Sequence, residues 1–275
     1  MKVADIMTRE VLSAAPDCPL DEAIRLFESC NFRHLPVADK GQLVGVISDR
    51  DVALATGWIL ASYRHADESS GPKLVGQIMR EGVHTLAPDA EITDAAELIL
   101  DNRIGALPLI EEGLLVGLVT TTDLLRACRE ERAGLDWSIH EGAVVASAMT
   151  TDVHTISPDA SMSEALDLCN ENTLRHLPVI ESSDLIGMIS DRDLRFGLGQ
   201  EIVSDLVAQE EGRMELSRTP ISALMTTEVV TIGHRELLTT AADSMLKHGF
   251  SALPVLKDGE LVGILTQTDI LRSCC

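Results

Sequence analysis

Phe32-Arg33-His34-Leu35-Pro36-Val37, a polar turn at Lys40-Gly41, then Leu43-Val44-Gly45-Val46-Ile47-Ser48-Asp49-Arg50-Asp51: this stretch decides the fold, because the chain writes it four times. The opening tetrapeptides are His34-Leu35-Pro36-Val37, Ala106-Leu107-Pro108-Leu109, His176-Leu177-Pro178-Val179 and Ala252-Leu253-Pro254-Val255. The closing phrases, Gly-x-x-Ser/Thr-x-x-Asp, run Gly45–Asp51, Gly117–Asp123, Gly187–Asp193 and Gly263–Asp269. A methionine starts each copy, at Met7, Met79, Met149 and Met225. Shifted by 142, residues 32–51 fall on 174–193 with 12 of 20 identities, and residues 104–123 shifted by 146 fall on 250–269 with 10 of 20. Neighbouring copies, 32–51 and 104–123, share only 7 of 20. The order is therefore A-B-A′-B′. A repeat that fills the chain is its fold, and the duplicated pair is the folding unit, at about 140 residues enough for one core.

Each copy reads as β-α-β-β-α. A β-prone run follows the methionine (Val11-Leu12, Val83–Leu86, Val153–Ile156, Val229–Ile232), and a turn comes next at Pro16-Asp17, Pro88-Asp89 and Pro158-Asp159, with Gly233-His234 in the fourth copy. Asp21, Thr93, Ser163 and Thr239 stand at one place in the four copies and are the expected helix caps, ahead of runs such as Glu22–Cys30 and Asp94–Leu100. After the Leu-Pro strand, Lys40-Gly41, Glu112-Gly113 and Asp258-Gly259 reverse the chain. The strands that follow, Leu43–Ile47, Leu115–Val119, Leu185–Ile189 and Leu261–Leu265, are apolar without alternation, which predicts that both their faces are covered.

Composition sets the surroundings. The formal charge is −22, from 22 Lys and Arg against 44 Asp and Glu. Nucleic acid and anionic membranes are poor partners for such a surface, whose acidity reads as a solvated exterior or one tuned to salt. No apolar run reaches the roughly 18 residues of a membrane span, and the first ten residues lack the apolar core of a signal peptide, so the expected location is the cytoplasm. Cys18, Cys30, Cys128, Cys169, Cys274 and Cys275 show no metal-ligand spacing and no CxxC pair. His84 and His154 sit on equivalent strands without converging ligands, so no metal site is expected.

Ser48/Asp51, Thr120/Asp123, Ser190/Asp193 and Thr266/Asp269 have two readings. Each fits a helix N-cap with an acid at the third helical position, a capping box. Each also stands where a strand enters a helix through a glycine-led turn, where free N–H groups suit phosphate and a carboxylate suits a ribose diol.

The order of Met-Thr, Leu-Pro strand and Gly-x-x-Ser/Thr-x-x-Asp resembles the CBS repeat, named after cystathionine β-synthase. Four such repeats would occupy residues 1–56, 75–130, 145–199 and 221–275, pairing into Bateman modules over 1–130 and 143–275. The resemblance implies an α/β (α+β) fold with two pseudo-twofold modules forming one disc, similar to the γ subunit of the AMP-activated kinase. The alternative is a disc shared between two chains of a homodimer. It implies adenosine ligands in the clefts between repeats: AMP, ADP, ATP or S-adenosylmethionine, with or without magnesium, and no obligatory cofactor. By resemblance the ribose falls to Asp51, Asp123, Asp193 and Asp269, with Ser48, Thr120, Ser190 and Thr266 beside them.

Basic residues divide the repeats. Repeats one and three carry Arg33-His34 and Arg175-His176 before Leu-Pro and Arg50 and Arg192 in the closing turn. Repeats two and four carry Gly105-Ala106, Ser251-Ala252, Thr122 and Thr268 at those places. Two matching cationic clusters in so acidic a chain are the expected phosphate sites, against the alternative of surface pairing with Asp49 and Asp191. The even clefts are left to hold a nucleoside, to borrow cations or to stay empty. Trp58, Tyr63, Arg64 and His65 fall in a linker, Trp137 in the segment between modules, and residues 200–220 form a Glu-rich insert. No nucleophile-base set, P-loop or Gly-x-Ser-x-Gly elbow nominates a reaction. The expected function is a non-enzymatic sensor that binds an adenine nucleotide and regulates an unidentified protein, with a structural module as the alternative.

Overall fold

Lys40 and Gly41 sit at φ 50° and 85°, Glu112 and Gly113 at 50° and 83°, and Asp258 and Gly259 at 53° and 91°. Two successive positive φ values make the tight turn that matches strand twist, and glycine at the second place removes the steric cost. Repeat three makes the same turn with Ser182 and Ser183 (φ 50° and 81°), so Ser183 carries the strain that glycine avoids elsewhere.

These turns close four equal hairpins: β1 (His34–Asp39) with β2 (Gln42–Ser48), β3 (Ala106–Glu111) with β4 (Leu114–Thr120), β5 (His176–Glu181) with β6 (Asp184–Ser190), and β8 (Ala252–Lys257) with β9 (Glu260–Thr266). Each carries a register shift one residue past the Leu-Pro-Val/Leu run, as between Val37 and Ala38. The computed structural model describes residues 1–30, 32–55, 73–130, 137–196 and 218–274. Trp58, Tyr63, Arg64, His65 and nearly all of the Glu-rich insert lie outside the described residues.

The first helices are α1 (Leu20–Cys30), α3 (Ile92–Asn102), α5 (Met162–Glu171) and α7 (Leu238–His248). Each buries positions i, i+3, i+4 and i+7: Leu20, Ala23, Ile24 and Phe27 in α1, and Ile92, Ala95, Ala96 and Ile99 in α3. Because the first apolar residue is already helical, Asp21, Thr93, Ser163 and Thr239 are second helical residues, not caps. The described cap positions are Glu91, Ser161 and Leu237, and Ser161 makes a full capping box with Glu164. The second helices, α2 (Asp49–Ala55), α4 (Thr121–Arg129), α6 (Asp191–Phe196) and α8 (Gln267–Cys274), start straight from the closing strands.

Two further expectations change. The run after each methionine is a full strand only at β7 (Ile232–Gly233), parallel to β8; elsewhere it is a single parallel bridge, Ala14 to Val37, Leu86 to Leu109 and Ile156 to Val179. The closing strands are not evenly covered, since Gly45 and Ile47 are buried while Val46 and Ser48 are half-exposed, a pattern shared by all four. In β2 that second face, through Val46 and Ser48, is the wall of a cleft.

Repeats join by exchanging their starts. Thr8 pairs with Leu118 of repeat two and Arg80 with Val46 of repeat one; Thr150 pairs with Ile264 and Thr226 with Met188 in the other half. The methionine before each pairing residue lies on the partner's signature glycine. An added Cβ would meet Met79 Sδ at 2.9 Å from Gly45, Met7 Sδ at 2.6 Å from Gly117, Met225 Sδ at 2.5 Å from Gly187 and Met149 Sδ at 2.7 Å from Gly263. The glycine that looked like part of a phosphate turn is a strand residue that accommodates a neighbour's sulfur. Methionine and glycine are knob and hole of the repeat pair.

The halves meet on two unlike faces. Repeats two and four share one buried core, in which α4 packs on α8 and α7, with Leu124, Leu125, Ile270 and Leu271 fully buried. Repeats one and three keep separate cores, around Phe27 and around Leu166.

Candidate functional site

The closing strand delivers each signature hydroxyl to the start of a helix, and the acid three residues on turns back to it. Asp51 Oδ2 accepts from Ser48 N (2.9 Å) and Ser48 Oγ (2.6 Å), while Asp51 N donates to Ser48 Oγ (3.1 Å). Thr120/Asp123, Ser190/Asp193 and Thr266/Asp269 repeat the arrangement. The capping reading holds at all four sites. One carboxylate oxygen is therefore engaged, and a diol needing both would have to break the cap.

The other oxygen differs from repeat to repeat. Asp51 Oδ1 accepts from Arg80 Nη2 (2.6 Å) and Nε (3.1 Å). Asp123 Oδ1 lies 3.6 Å from Arg126 Nη1. Asp193 Oδ1 and Asp269 Oδ1 have no partner among the described residues. Arg80 follows Met79 where the other repeats have Thr8, Thr150 and Thr226, so this ion pair belongs to one cleft alone.

That cleft opens into a cavity of about 400 Å³ lined by Arg33, Arg50, Arg80, Arg103, Arg175 and Arg192, with Asp49, Asp51 and Asp191 the acids. Val46, Val83, Ile104 and Pro108 form an apolar wall, and His34, His84, Ser48 and Ser190 add polar groups. Repeats one, two and three all contribute. Of the expected site residues, the cavity gathers Arg33, His34, Ser48, Arg50, Asp51, Arg175, Ser190 and Arg192. His176, Thr120, Asp123, Asp193, Thr266 and Asp269 do not line it. Sequence reasoning missed Arg80, Arg103, Thr173 and the lining role of His84. Arg80 was visible as the break in the Met-Thr pattern. Arg103 sits at φ 53° just past α3, a place held by Gly249 in repeat four, and carries no sequence signal.

Several basic groups already have protein partners. Arg50 Nη2 donates to Asn170 Oδ1 (2.8 Å), and Arg192 donates to Phe27 O (2.7 Å) and Phe32 O (3.2 Å), so each ties one half to the other. Arg33 Nη2 donates to Ser251 Oγ (3.3 Å), which lies 3.1 Å from His176 Nε2. His176 thus packs into the place of Ser251, and His34 into that of Gly105, where an added Cβ would meet His34 Cε1 at 2.8 Å. The small residues of the even repeats make room for the histidines of the odd ones.

Burial, with Arg175 and Arg33 nearby, pushes His34 down to about 4; burial with the same arginines takes His176 to about 3. Both are neutral at physiological pH. Burial raises Asp49 against the pull of Arg192 and Arg33, and lowers Arg175, with Arg33 adding repulsion. Asp191 also pairs with Arg195, whose Nε and Nη1 are buried without a partner among the described residues. A site with this excess of guanidinium groups is built for an anion. No group of His, Cys, Asp and Glu that could hold a metal occurs among the described residues, and no described helix is long and apolar enough to cross a membrane.

Paired hairpin-and-helix repeats with exchanged starts, enclosing a cleft at the helix N-termini, define a tandem-repeat class of protein. The CBS domain profile matches residues 3–56, 75–130, 145–199 and 221–274, and the chain belongs to the CBS-domain family. Along its whole length it is similar to the uncharacterised protein MJ1225 of Methanocaldococcus jannaschii, 26% identical over 282 residues that cover 99% of this chain and 97% of that one. The crystal structure of MJ1225, described as an archaeal homologue of γ-AMPK, superposes with a TM-score of 0.85 at 25% identity, covering 99% of each chain. A conserved protein from Pyrococcus horikoshii shares the fold, with a TM-score of 0.67 at 19% identity over all of both chains. Inosine-5′-monophosphate dehydrogenase of M. jannaschii is 24% identical over 289 residues, 99% of this chain but 53% of that enzyme.

Proposed function

We propose that this chain is a non-catalytic cytoplasmic sensor that binds a phosphate-bearing adenosine ligand, AMP, ADP or ATP, and reports it to a partner protein. One observation carries the reading: six arginines of a chain with formal charge −22 line a single cavity of about 400 Å³. The size suits a nucleotide, the Val46–Val83 wall suits a base, and the arginines suit its phosphates. In this reading Arg80 leaves Asp51 Oδ1 to the ribose and turns to phosphate, while Arg175 reaches the tail from the second half and Arg192 holds the wall beside it through Phe27 O and Phe32 O. Asp193 Oδ1 and Asp269 Oδ1 are the corresponding ribose acceptors in the second module, with Ser190 and Thr266 as their caps, and Thr120 and Asp123 of repeat two play that part in the other cleft of the first module. His34 and His176 shape the site as neutral groups. The repeats fold as modules over 1–130 and 143–275, facing each other in one disc, and magnesium accompanies the longer phosphate tails. The likeness to a protein described as a γ-AMPK homologue supports the choice of ligand.

Calorimetry and thermal shift with AMP, ADP, ATP, adenosine and S-adenosylmethionine test it. Saturable heat and dose-dependent stabilisation by the phosphate-bearing ligands, stronger than by adenosine, are expected. No response to any of the five would replace this reading with a purely structural module, and equal responses to adenosine and ATP would remove phosphate recognition from it.

A further inference from the structure

Cys128, near the end of α4, and Cys274, at the end of α8, are separated by the shift of 146 that superposes repeats two and four. They are therefore equivalent residues meeting where the halves join. Both are buried, at 1% and 4% exposure, in the core the two repeats share, and α4 and α8 pack directly on one another. The Cys274 thiol is hydrogen-bonded to the Cys128 sulfur, which also accepts from the backbone of Ile139. The one Cys274 thiol proton is shared with Ile270 O, 3.3 Å from Sγ. Nothing in the nucleotide reading uses this pair, neither of which lines the arginine cavity.

We propose that Cys128 and Cys274 are a redox pair that closes into a disulfide when the chain meets a low-molecular-weight disulfide, stapling its two halves together. The Cys128 thiolate attacks one sulfur of the small disulfide, forming a mixed disulfide and releasing one small thiolate. Cys274 then gives up its proton and attacks the Cys128 sulfur, releasing the second. Two protein thiols are oxidised and one small disulfide is reduced to two thiols, so electrons and protons balance. Contact with the Cys274 thiol and the Ile139 N–H lowers the Cys128 thiol against the opposing effect of burial, which makes it the attacking group of the pair. Cys169 is the internal contrast: burial without a second thiol pushes it up to about 12 and leaves it inert. Opening of the last turn of α8 gives the small disulfide its access.

The test oxidises the full chain with oxidised glutathione at graded ratios. The expected product has lost about 2 Da with no glutathione adduct, and its digest contains a peptide joining Cys128 to Cys274. Closing the long loop between them raises the melting temperature by roughly 5–15 °C, and dithiothreitol reverses the change. Cys128→Ser and Cys274→Ser each abolish the product, whereas Cys275→Ser and Cys30→Ser preserve it. A crosslink through Cys275 or Cys30, or stable glutathione adducts in place of a crosslink, would overturn the proposal. Peptide mapping of the wild-type chain decides this even if a serine variant folds poorly. Nucleotide binding is not part of the readout, so its failure leaves this result standing.

Discussion

The odd face, between repeats one and three, and the even face, between repeats two and four, are built from the same fold and hold the halves together by opposite means. On the even face Leu124, Leu125, Ile270 and Leu271 merge two repeats into one core. On the odd face the cores stay separate and Arg50 and Arg192 reach across to Asn170, Phe27 and Phe32. At the matching sequence positions the even repeats carry Ala106 and Ala252 in place of His34 and His176, and Thr122 and Thr268 in place of Arg50 and Arg192. Apolar burial joins surfaces at about 25 cal/mol per Å², whereas burying charge is costly unless every group is paired. The even face is thus sufficient to join the halves. The odd face keeps Arg33, Asp49 and Asp191 half-buried around a cavity that Arg175 also lines, a charge cluster that stability alone does not favour. Duplication gave two equivalent interfaces, one suited to holding the structure and the other to holding an anion.

Acid should break this comparison most strongly. The folded state depresses the two odd-face histidines to about 4 and about 3 from a normal value near 6.5. Their stabilising contribution is complete above about pH 6.5 and is lost as pH falls toward those values, at up to about 1.4 kcal/mol per pH unit for each. Between pH 7 and 5 the pair removes up to about 4 kcal/mol, and the raised Asp49 opposes the loss as it takes up its proton. Urea titrations at the two pH values read this directly, with His176→Asn flattening the difference. A flat profile in the wild type would mean that the histidines are not buried as a neutral pair.

Truncating the even face comes next. Leu125→Ala leaves a cavity in the shared core and should lower stability by about 3 kcal/mol, within the roughly 2–5 kcal/mol range of such changes. Nucleotide affinity should barely move, because Leu125 lies outside the arginine cavity. A loss of affinity as large as the loss of stability would show that the two faces are not separable.

Arg80→Ala and Arg175→Ala sharpen the comparison from the other side. On the proposed nucleotide reading each removes a charge-assisted contact to phosphate, so affinity for ATP should fall about tenfold to a hundredfold, or about 1.5–3 kcal/mol, with adenosine little affected. Arg80→Ala also frees Asp51 Oδ1, and an unchanged or tighter adenosine complex measured by calorimetry is the expected sign. Equal weakening of adenosine and ATP would place Arg80 at the ribose rather than the phosphate.

The sequence made some of this legible and hid the rest for physical reasons. The hairpins could be read because Lys40-Gly41 and its counterparts name a turn by the conformation that turn requires. Repeat pairing could be read because identity follows the A-B-A′-B′ order. The cap could not be placed: Leu20-Asp21 and Ile92-Thr93 put a polar residue one place inside the helix, where a linear pattern looks the same. Gly45 and Met79 were both visible, but their contact exists only after the starts are exchanged. The capping boxes were legible to the residue, while the fate of each second oxygen depended on whether a partner repeat supplied an arginine. Arg50 and Arg192 look like phosphate ligands in sequence because a carbonyl and a phosphate oxygen ask for the same donor. Only the fold shows that Phe27 O and Asn170 Oδ1 are already in reach.

The smallest expected effects come from the polar contacts that cross each face. On the even face Arg129 holds Asp243 through two bonds of 2.7 and 2.8 Å, but Asp243 is 54% exposed, so solvent screens the pair. Asp243→Ala should therefore cost less than about 1 kcal/mol, and less still in high salt. On the odd face Asn170→Ala removes the part-buried acceptor of Arg50. It should cost about 1–2 kcal/mol and be insensitive to salt, because a charged donor loses its partner away from water. Denaturant midpoints at low and high salt, with the slope unchanged, compare the two variants. If Arg50 serves the halves before the ligand, Asn170→Ala leaves ATP affinity intact or raises it by releasing the guanidinium toward the cavity. A fall in affinity larger than the fall in stability would mean instead that Asn170 holds Arg50 in position for phosphate.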